Sequence, residues 1–420
     1  MANLRSLLTS VGSRLASLGP RRLVFAAPVV VVGLVVGVVM LGGGNEVTTK
    51  EDAAKPHQRI VSTSKGIPRS TVASTTTTAP APPPTTAAKQ PATGDDQAVP
   101  VSDEASGAPG PQLMPVLPPE PWPEGCCAAL TNKGFDPGQS EASPAVAVKV
   151  SNAPEADPHS NLHRADLIYE LRAEDVSRFI AVYSSRDADV VGPIRSARTA
   201  DPAIIKSLGR PMLVFSGGND GVMSLMERRE AEGWLVRMLT GMNTASFFRT
   251  NDRGVPHNFY GHRPGWVQTR GDLVAPPNRQ TEFLGSSAVN HVTGQPVKVS
   301  VRIGQSNSWW QWDDTSQMWL RFQHNRPHID KDTGFQIGRN SVVILKVNYA
   351  KSGADVRSPE AVSHGHGEAW VFTGRDYIHG GWSRNGPDDS WHLLDDRGNP
   401  IRLASGPVYI GLTDVSPVVE

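Results

Sequence analysis

Residues Pro144 to Asn152 read PAVAVKVSN. Apolar and small or polar side chains alternate there, the period of a β-strand with two unlike faces. Asp166 to Leu171 (DLIYEL) and Arg178 to Ser184 (RFIAVYS) predict two more strands close behind it. Asp201-Pro202 predicts a helix start, with Asp as N-cap and Pro at the first helical position. Met212 to Phe215 predicts a short strand that runs into Ser216-Gly217-Gly218-Asn219-Asp220, followed by a helical pattern to about Glu232. From Pro296 onward strands dominate: VKVSVRI at 297–303, SVVILKVNY at 341–349, EAWVFTG at 368–374 and PVYIGL at 407–412, with Gly, Asp and Asn turns between them. The expected fold class is α+β, with a mixed α/β first module over 122–290 and a β-rich second module over 291–420.

Upstream of these modules the composition changes. Leu23 to Leu41 (LVFAAPVVVVGLVVGVVML) is an uncharged apolar run of bilayer length. Arg5, Arg14, Arg21 and Arg22 precede it, and no acid occurs before Glu46. The positive-inside rule then predicts a cytoplasmic basic tail over 1–22 and a transmembrane signal anchor over 23–41. Residues 42–121 include a Thr/Pro/Ala tract, TVASTTTTAPAPPPTTAAKQP at 71–91. Such composition buries too little apolar surface to offset its ordering entropy, so a disordered linker is expected, spanning roughly 50 Å. The expected location is the plasma membrane, single-pass, with the ectodomain extracytoplasmic.

The 420 residues carry 41 basic and 41 acidic side chains. That balance argues against a polybasic nucleic-acid binder, and no nucleic-acid partner is expected. The neutral total is uneven: residues 178–270 hold 13 basic against 8 acidic side chains, and residues 351–420 hold 6 against 10. The only cysteines, Cys126 and Cys127, are adjacent, which excludes a multi-disulfide scaffold or a four-cysteine metal site. They could bond to each other, bond to another chain, or stay reduced.

The chain resembles the YerB-like family of bacterial lipoprotein-type proteins, whose domains have no assigned function. The likeness rests on AVAVKVSN at 145–152, ADLIYE at 165–170, SRFIAVY at 177–183, VGPIRSAR at 191–198 with Asp201, SGG at 216–218, PHNFY at 256–260 and GGWSRNG at 380–386. It covers roughly 130–412. The resemblance implies an extracytoplasmic, membrane-attached, two-part α/β protein and no particular activity. This chain has no cysteine at the end of its apolar run for lipidation, so the attachment would come from Leu23–Leu41.

The candidate site is a basic loop cluster: Arg178, Arg195, Ser196, Arg198 and Asp201, the turn Ser216-Gly217-Gly218, and Arg249, His257 and Asn258. Guanidinium groups bind carboxylate or phosphate bidentately. Backbone N–H groups of a turn that opens a helix also receive anions. Converged, these parts would bind an anionic cell-wall glycan, a peptide carboxylate or an envelope protein. The competing expectation is that Arg195 and Arg198 pair with Asp201, Asp187 or Glu170 and brace a loop. An enzyme would need Ser196 or Ser216 as nucleophile, His257 as base and Asp201 to orient it. No G-x-S-x-G elbow supports that, so no catalytic residue is assigned and a cell-wall hydrolase or transferase stays an alternative, as does a non-catalytic scaffold. His364-Gly365-His366, His324 and His328 lack a third ligand at recognisable spacing, and neither metal nor cofactor is expected. Trp309, Trp310, Trp312 and Trp319 flank a polar hairpin loop at 313–317. Cross-strand aromatic pairs are the expected reading, with glycan stacking or protein contact as alternatives.

Overall fold

The computed structural model describes residues 125–285 and 288–420. The expected anchor at 23–41 and linker at 42–121 lie outside them, as does the basic tail. Among the described residues no helix is long and apolar enough to cross a membrane. Cys126 and Cys127 are bonded to each other.

The alternating runs form strands where their periods place them. In chain order these are β1 (Val146–Ser151), β2 (Leu167–Ala173), β3 (Val176–Tyr183), β4 (Met212–Val214) and β5 (Val236–Met238). The second half adds β6 (Lys298–Ile303), β7 (Ser306–Asp313), β8 (Met318–Gln323), β9 (Ser341–Lys346), β10 (Tyr349–Lys351), β11 (Pro359–Ala361), β12 (Gly365–Thr373), β13 (Asp376–Arg384), β14 (His392–Asp395) and β15 (Val408–Thr413). Helices are few: α1 (Asp201–Ile205), α2 (Asp220–Ala231) and α3 (Arg263–Arg270). Asn219 caps α2 by accepting the Val222 N–H. The Asp201 capping expectation needs correction. Helix α1 starts at Asp201 itself with Ala200 as N-cap, because the Asp201 carboxylate is engaged elsewhere.

Ten strands make one sheet in the order β14-β13-β12-β9-β15-β2-β3-β1-β4-β5. Strand β15 from the end of the chain pairs in parallel with both β9 and β2. The sheet therefore runs without a break across residue 290. Strands β6, β7 and β8 form the centre of a smaller antiparallel sheet, whose edge takes Val418–Val419.

The large sheet is covered on both faces, so its strands carry two apolar rows instead of one. On one face Ala147, Ile180, Val182 and Leu213 pack with Ile204 and Ile205 of α1 and Val222, Leu225 and Met226 of α2. On the other face Val146, Val148, Val150, Phe179 and Tyr409 pack against Trp310, Trp312 and Trp319 of the small sheet. The tryptophans form the expected cross-strand pairs, Trp312 opposite Trp319 and Trp309 opposite Phe322. Trp310 and Trp319 are fully buried and also reach across to Tyr409 and Phe372, with ring centroids 4.8 and 5.3 Å apart.

One buried carboxylate ties these layers together. Glu170 on β2 accepts from Arg321 Nη2 of β8 at 2.9 Å and Tyr409 Oη of β15 at 2.7 Å. It also accepts from Asn152 Nδ2 at 3.0 Å and from the Ser177 hydroxyl. Glu170 and Arg321 are both essentially inaccessible. Replacing Trp310 with Ala should cost about 3–5 kcal/mol through lost burial and a residual cavity between the sheets. A urea-unfolding midpoint unchanged from wild type would contradict this packing.

Candidate functional site

The end of β1 organises the basic cluster. Ser151 of β1 lies in register with Arg178 of β3. The 193–195 segment then runs alongside β1, with the Ser151 N–H donating to Pro193 O and the Arg195 N–H to Lys149 O. Ser216 N–H donates to Arg195 O, and Ala197 N–H to Gly217 O, each at 3.0 Å. These bonds hold the 195–198 loop against the turn that opens α2. Gly217 sits at φ +128°, a conformation that side chains rarely adopt, so this turn depends on glycine.

Four cations gather there: Lys149, Arg178, Arg195 and Arg198. Lys149 Nζ and Asp201 Oδ1 are 2.6 Å apart, and both side chains are fully buried. The other Asp201 oxygen accepts the Arg198 N–H at 2.7 Å. Burial pulls the Lys149 ammonium down to about 8, against the raising effect of Asp201. Glu174 faces two guanidinium groups, Arg198 Nη2 at 2.7 Å and Arg178 Nη2 at 3.7 Å. Arg178 Nη1 donates to Ser196 O. Arg178 is pulled down to about 9 by burial first, then by the charges of Arg198 and Arg195. Arg195 is half-buried, and its Nε is enclosed without an acceptor. Burial and then the Arg198 charge lower it too. Asp201 is committed to Lys149, which leaves Glu174 facing the guanidinium groups.

His257 joins this group from the far end of the module. Its Nδ1 is 3.2 Å from Ser151 Oγ and its Nε2 3.9 Å from Glu155. Burial, and next the Arg195 charge, keep the imidazole below its ordinary value and therefore neutral at pH 7. Ser151 is only 2% exposed, so its hydroxyl anchors the ring and has no open path to a substrate. The alternative arrangement of Ser196 or Ser216 with His257 and Asp201 is not assembled. His257 bonds Ser151, and Asp201 bonds Lys149.

The remaining candidates fall into two groups. Ser216 is exposed, and Gly218 packs so closely that an added Cβ would lie 2.8 Å from Val222. Arg249 and Asn258 bond each other at 2.8 Å across the Phe247–Arg249 and Phe259–His262 hairpin, and Arg249 lies over the Phe259 ring. They stabilise that hairpin and have no bond to Arg178 or Arg195 among the described residues. The expected bracing partners also differ: Arg198 takes Glu174, and Glu170 takes Arg321. Sequence reading missed Lys149, Glu174 and Ser151. Lys149 did carry a signal, as the one charge in an apolar alternating strand, on the same face as Ala147. Glu174 carried none: it sits in the β2–β3 turn at φ +64° and reaches the cluster only through the fold.

A second group has metal-ligand character. Ligand atoms of Asp157, His159 and His328 lie within 4.8 Å of one another. Their hydrogen bonds decide against a cation. Arg321 Nη1 donates to His328 Nδ1 at 2.8 Å, so the His328 proton is on Nε2. That Nε2–H donates to His159 Nδ1 at 2.8 Å, and His159 Nε2–H donates to Ser151 O at 2.6 Å. The chain of bonds uses all four ring nitrogens.

Residues 130–269 match the family described as protein of unknown function (DUF3048), N-terminal domain, and residues 297–410 match its C-terminal domain. The two matched halves are the strand-rich α/β parts joined by the common sheet. Together they take in more than half of the chain, which belongs to the DUF3048 family. The chain is 24% identical over 267 residues to a Bacillus subtilis protein named "Putative lipoprotein YerB", covering 61% of this chain and 78% of that one. The crystal structure of Bacillus subtilis YerB superposes with a TM-score of 0.61 at 19% identity, over 70% of this chain and all of that one.

Two outcomes follow from the buried charges. Lys149→Met leaves Asp201 buried without its cation and should cost about 3–5 kcal/mol in urea unfolding. Lys149→Met combined with Asp201→Leu should cost less than the two single changes summed. Burial pulls the His159 imidazole down to about 4 and His328 well below its ordinary value. The unfolded chain then binds more protons, so stability should be full above pH 6.5 and fall as pH drops from 6.5 towards about 4. His159→Asn should flatten that slope, and an equal slope in both proteins would exclude the buried pair as its source.

Proposed function

We propose that this protein is a membrane-attached extracytoplasmic binding module, which recognises an anionic group of a cell-envelope component or envelope protein. Arg195, half-buried, would make the contact, with the buried Arg178 and Arg198 behind it and His257 beside it. The observation that carries this reading is the Arg195 guanidinium, half-buried beside two other arginines with an enclosed Nε that has no acceptor. Here Glu174 faces both Arg178 and Arg198, and Arg195 has no ion pair among the described residues. An anion between the guanidinium groups would relieve their mutual repulsion.

Ser196 adjoins Arg195 in its loop, and Ser216 and Gly217 belong to the turn bonded to that loop. Neutral His257 offers a hydrogen bond without adding to the positive charge. Attachment to the membrane rests on the apolar run at 23–41 and its basic flank, together with the family resemblance.

The test is a thermal-shift series on the full chain in detergent, with muropeptides, teichoic-acid fragments and nucleotides. One anionic class should raise the melting temperature by several degrees. Arg195→Ala should reduce affinity for it about tenfold or more, the cost of one charged hydrogen-bonding group. The same variant should keep or gain stability without ligand, since it removes a repulsive neighbour. A large loss of stability in Arg195→Ala, with no shift in the wild type, would identify the arginines as a brace.

A further inference from the structure

At the β2–β3 turn two buried arginines converge on one carboxylate that faces solvent. The oxygens of Glu174 go to different guanidinium groups: Oε1 lies 2.7 Å from Arg198 Nη2, and Oε2 lies 3.7 Å from Arg178 Nη2. The arginine side chains are 10% and 4% exposed, that of Glu174 42%. The cations are held from behind, since Arg178 Nη1 also donates to Ser196 O and Arg198 Nη1 to Ala197 O. The backbone of the turn is held without help from that carboxylate. Arg172 Nε donates to Glu174 O at 3.0 Å, and the Gln305 N–H of the β6–β7 turn donates to Asp175 O at 2.7 Å. Glu174 can therefore leave the arginines by turning its side chain alone.

A cavity of about 680 Å³ opens on this turn, with Glu174 on its wall. Asp175 and Arg172 line it from the same side, and the β10–β11 hairpin contributes Lys351 and Arg357. Lys351 is exposed and has no ion pair among the described residues. Arg357 and Arg172 have only distant carboxylates, Asp355 at 3.8 Å and Asp414 at 3.9 Å. Behind Glu174, Asp201 is committed to Lys149, so one carboxylate offsets the guanidinium groups of the cluster. The hollow thus has cations on both sides and a displaceable acid at its inner end.

We infer that this hollow takes a phosphate monoester, whose phosphate displaces Glu174 from Arg198 and Arg178 while Lys351 and Arg357 attract it across the cavity. Charge decides the class. Glu174 is tethered beside its partners at an effective concentration on the order of mM or more, so a free carboxylate gains nothing by exchanging with it. A phosphate monoester brings about −1.5 to −2 charge at pH 7 and three acceptor oxygens, enough to serve both guanidinium groups and replace more charge than leaves. This rests on the anion-binding reading above and names its ligand class.

Isothermal titration of the full chain in detergent, with glycerol 3-phosphate and with acetate at constant ionic strength, tests the inference. Wild type should bind glycerol 3-phosphate and not acetate. Glu174→Gln keeps the shape of the side chain and removes its charge. It should bind glycerol 3-phosphate about tenfold more tightly, the size of one charged hydrogen bond, and should now take acetate as well. Lys351→Ala, at an exposed position, should keep the wild-type melting temperature and bind glycerol 3-phosphate several-fold more weakly, which gives a readout even where Glu174→Gln folds poorly. Equal affinity of wild type and Glu174→Gln for glycerol 3-phosphate, equal binding of acetate and glycerol 3-phosphate by wild type, or wild-type affinity in Lys351→Ala would overturn the inference. A muropeptide that binds through Arg195 while Glu174→Gln alters nothing would leave the anion-binding reading standing and this one overturned. If no anion binds wild type or Glu174→Gln, both fall.

Discussion

Everything in this fold has to accommodate a carboxylate with no access to water. Glu170 sits in the middle of the ten-stranded sheet, and an ion there is costly unless each lone pair finds a donor. Its donors come from β8 of the small sheet, from β15 at the chain's end, and from Asn152 and Ser177 nearby. Arg321, which faces it, also lies over the Phe179 ring and donates to His328. Two sheets and both sequence halves are therefore positioned by the needs of one ion. Removing a single donor would leave a buried charge exposed to its own desolvation cost, so the contact specifies alignment more than it adds net stability.

The same economy recurs on the opposite face, with different consequences. Lys149 and Asp201 neutralise each other completely, and Asp201 is thereby unavailable to the arginines around it. Glu174, from a tight turn, is left facing Arg178 and Arg198. Where Glu170 draws four donors onto one carboxylate, this cluster leaves Arg195 without an ion pair among the described residues. The contrast between a closed and an open set of charges on the two faces of one sheet is what separates architecture from candidate chemistry.

Most strands were legible because two-residue periodicity survives burial on both faces, as in AVAVKVSN and RFIAVYS. The tryptophan pairs were legible for the same reason, since a polar loop at 313–317 fixes which residues oppose each other. The start of α1 was misplaced by one residue, because the aspartate expected to cap it is held by a lysine that only the fold brings near. That the loop arginines lie near one another was legible from their residue type and local turn. Glu174 could not be found this way. It comes from the β2–β3 turn and meets Arg198 only after the sheet forms. Arg249 and Asn258 failed in the opposite sense: close in sequence to His257, they satisfy each other and remain apart from the cluster.

Strand β15 comes after both β9 and β2 in the chain, yet it lies between them in the interior of the sheet. A chain delivered from its N-terminus, whether by a ribosome or through a membrane pore, holds β2 as a bare edge until residue 413 emerges. Such an edge offers unpaired N–H and C=O groups to any extended neighbour. Loss of residues 408–413 would therefore remove a strand from the middle of the sheet. For this architecture β15 is a keystone set after the two strands it joins.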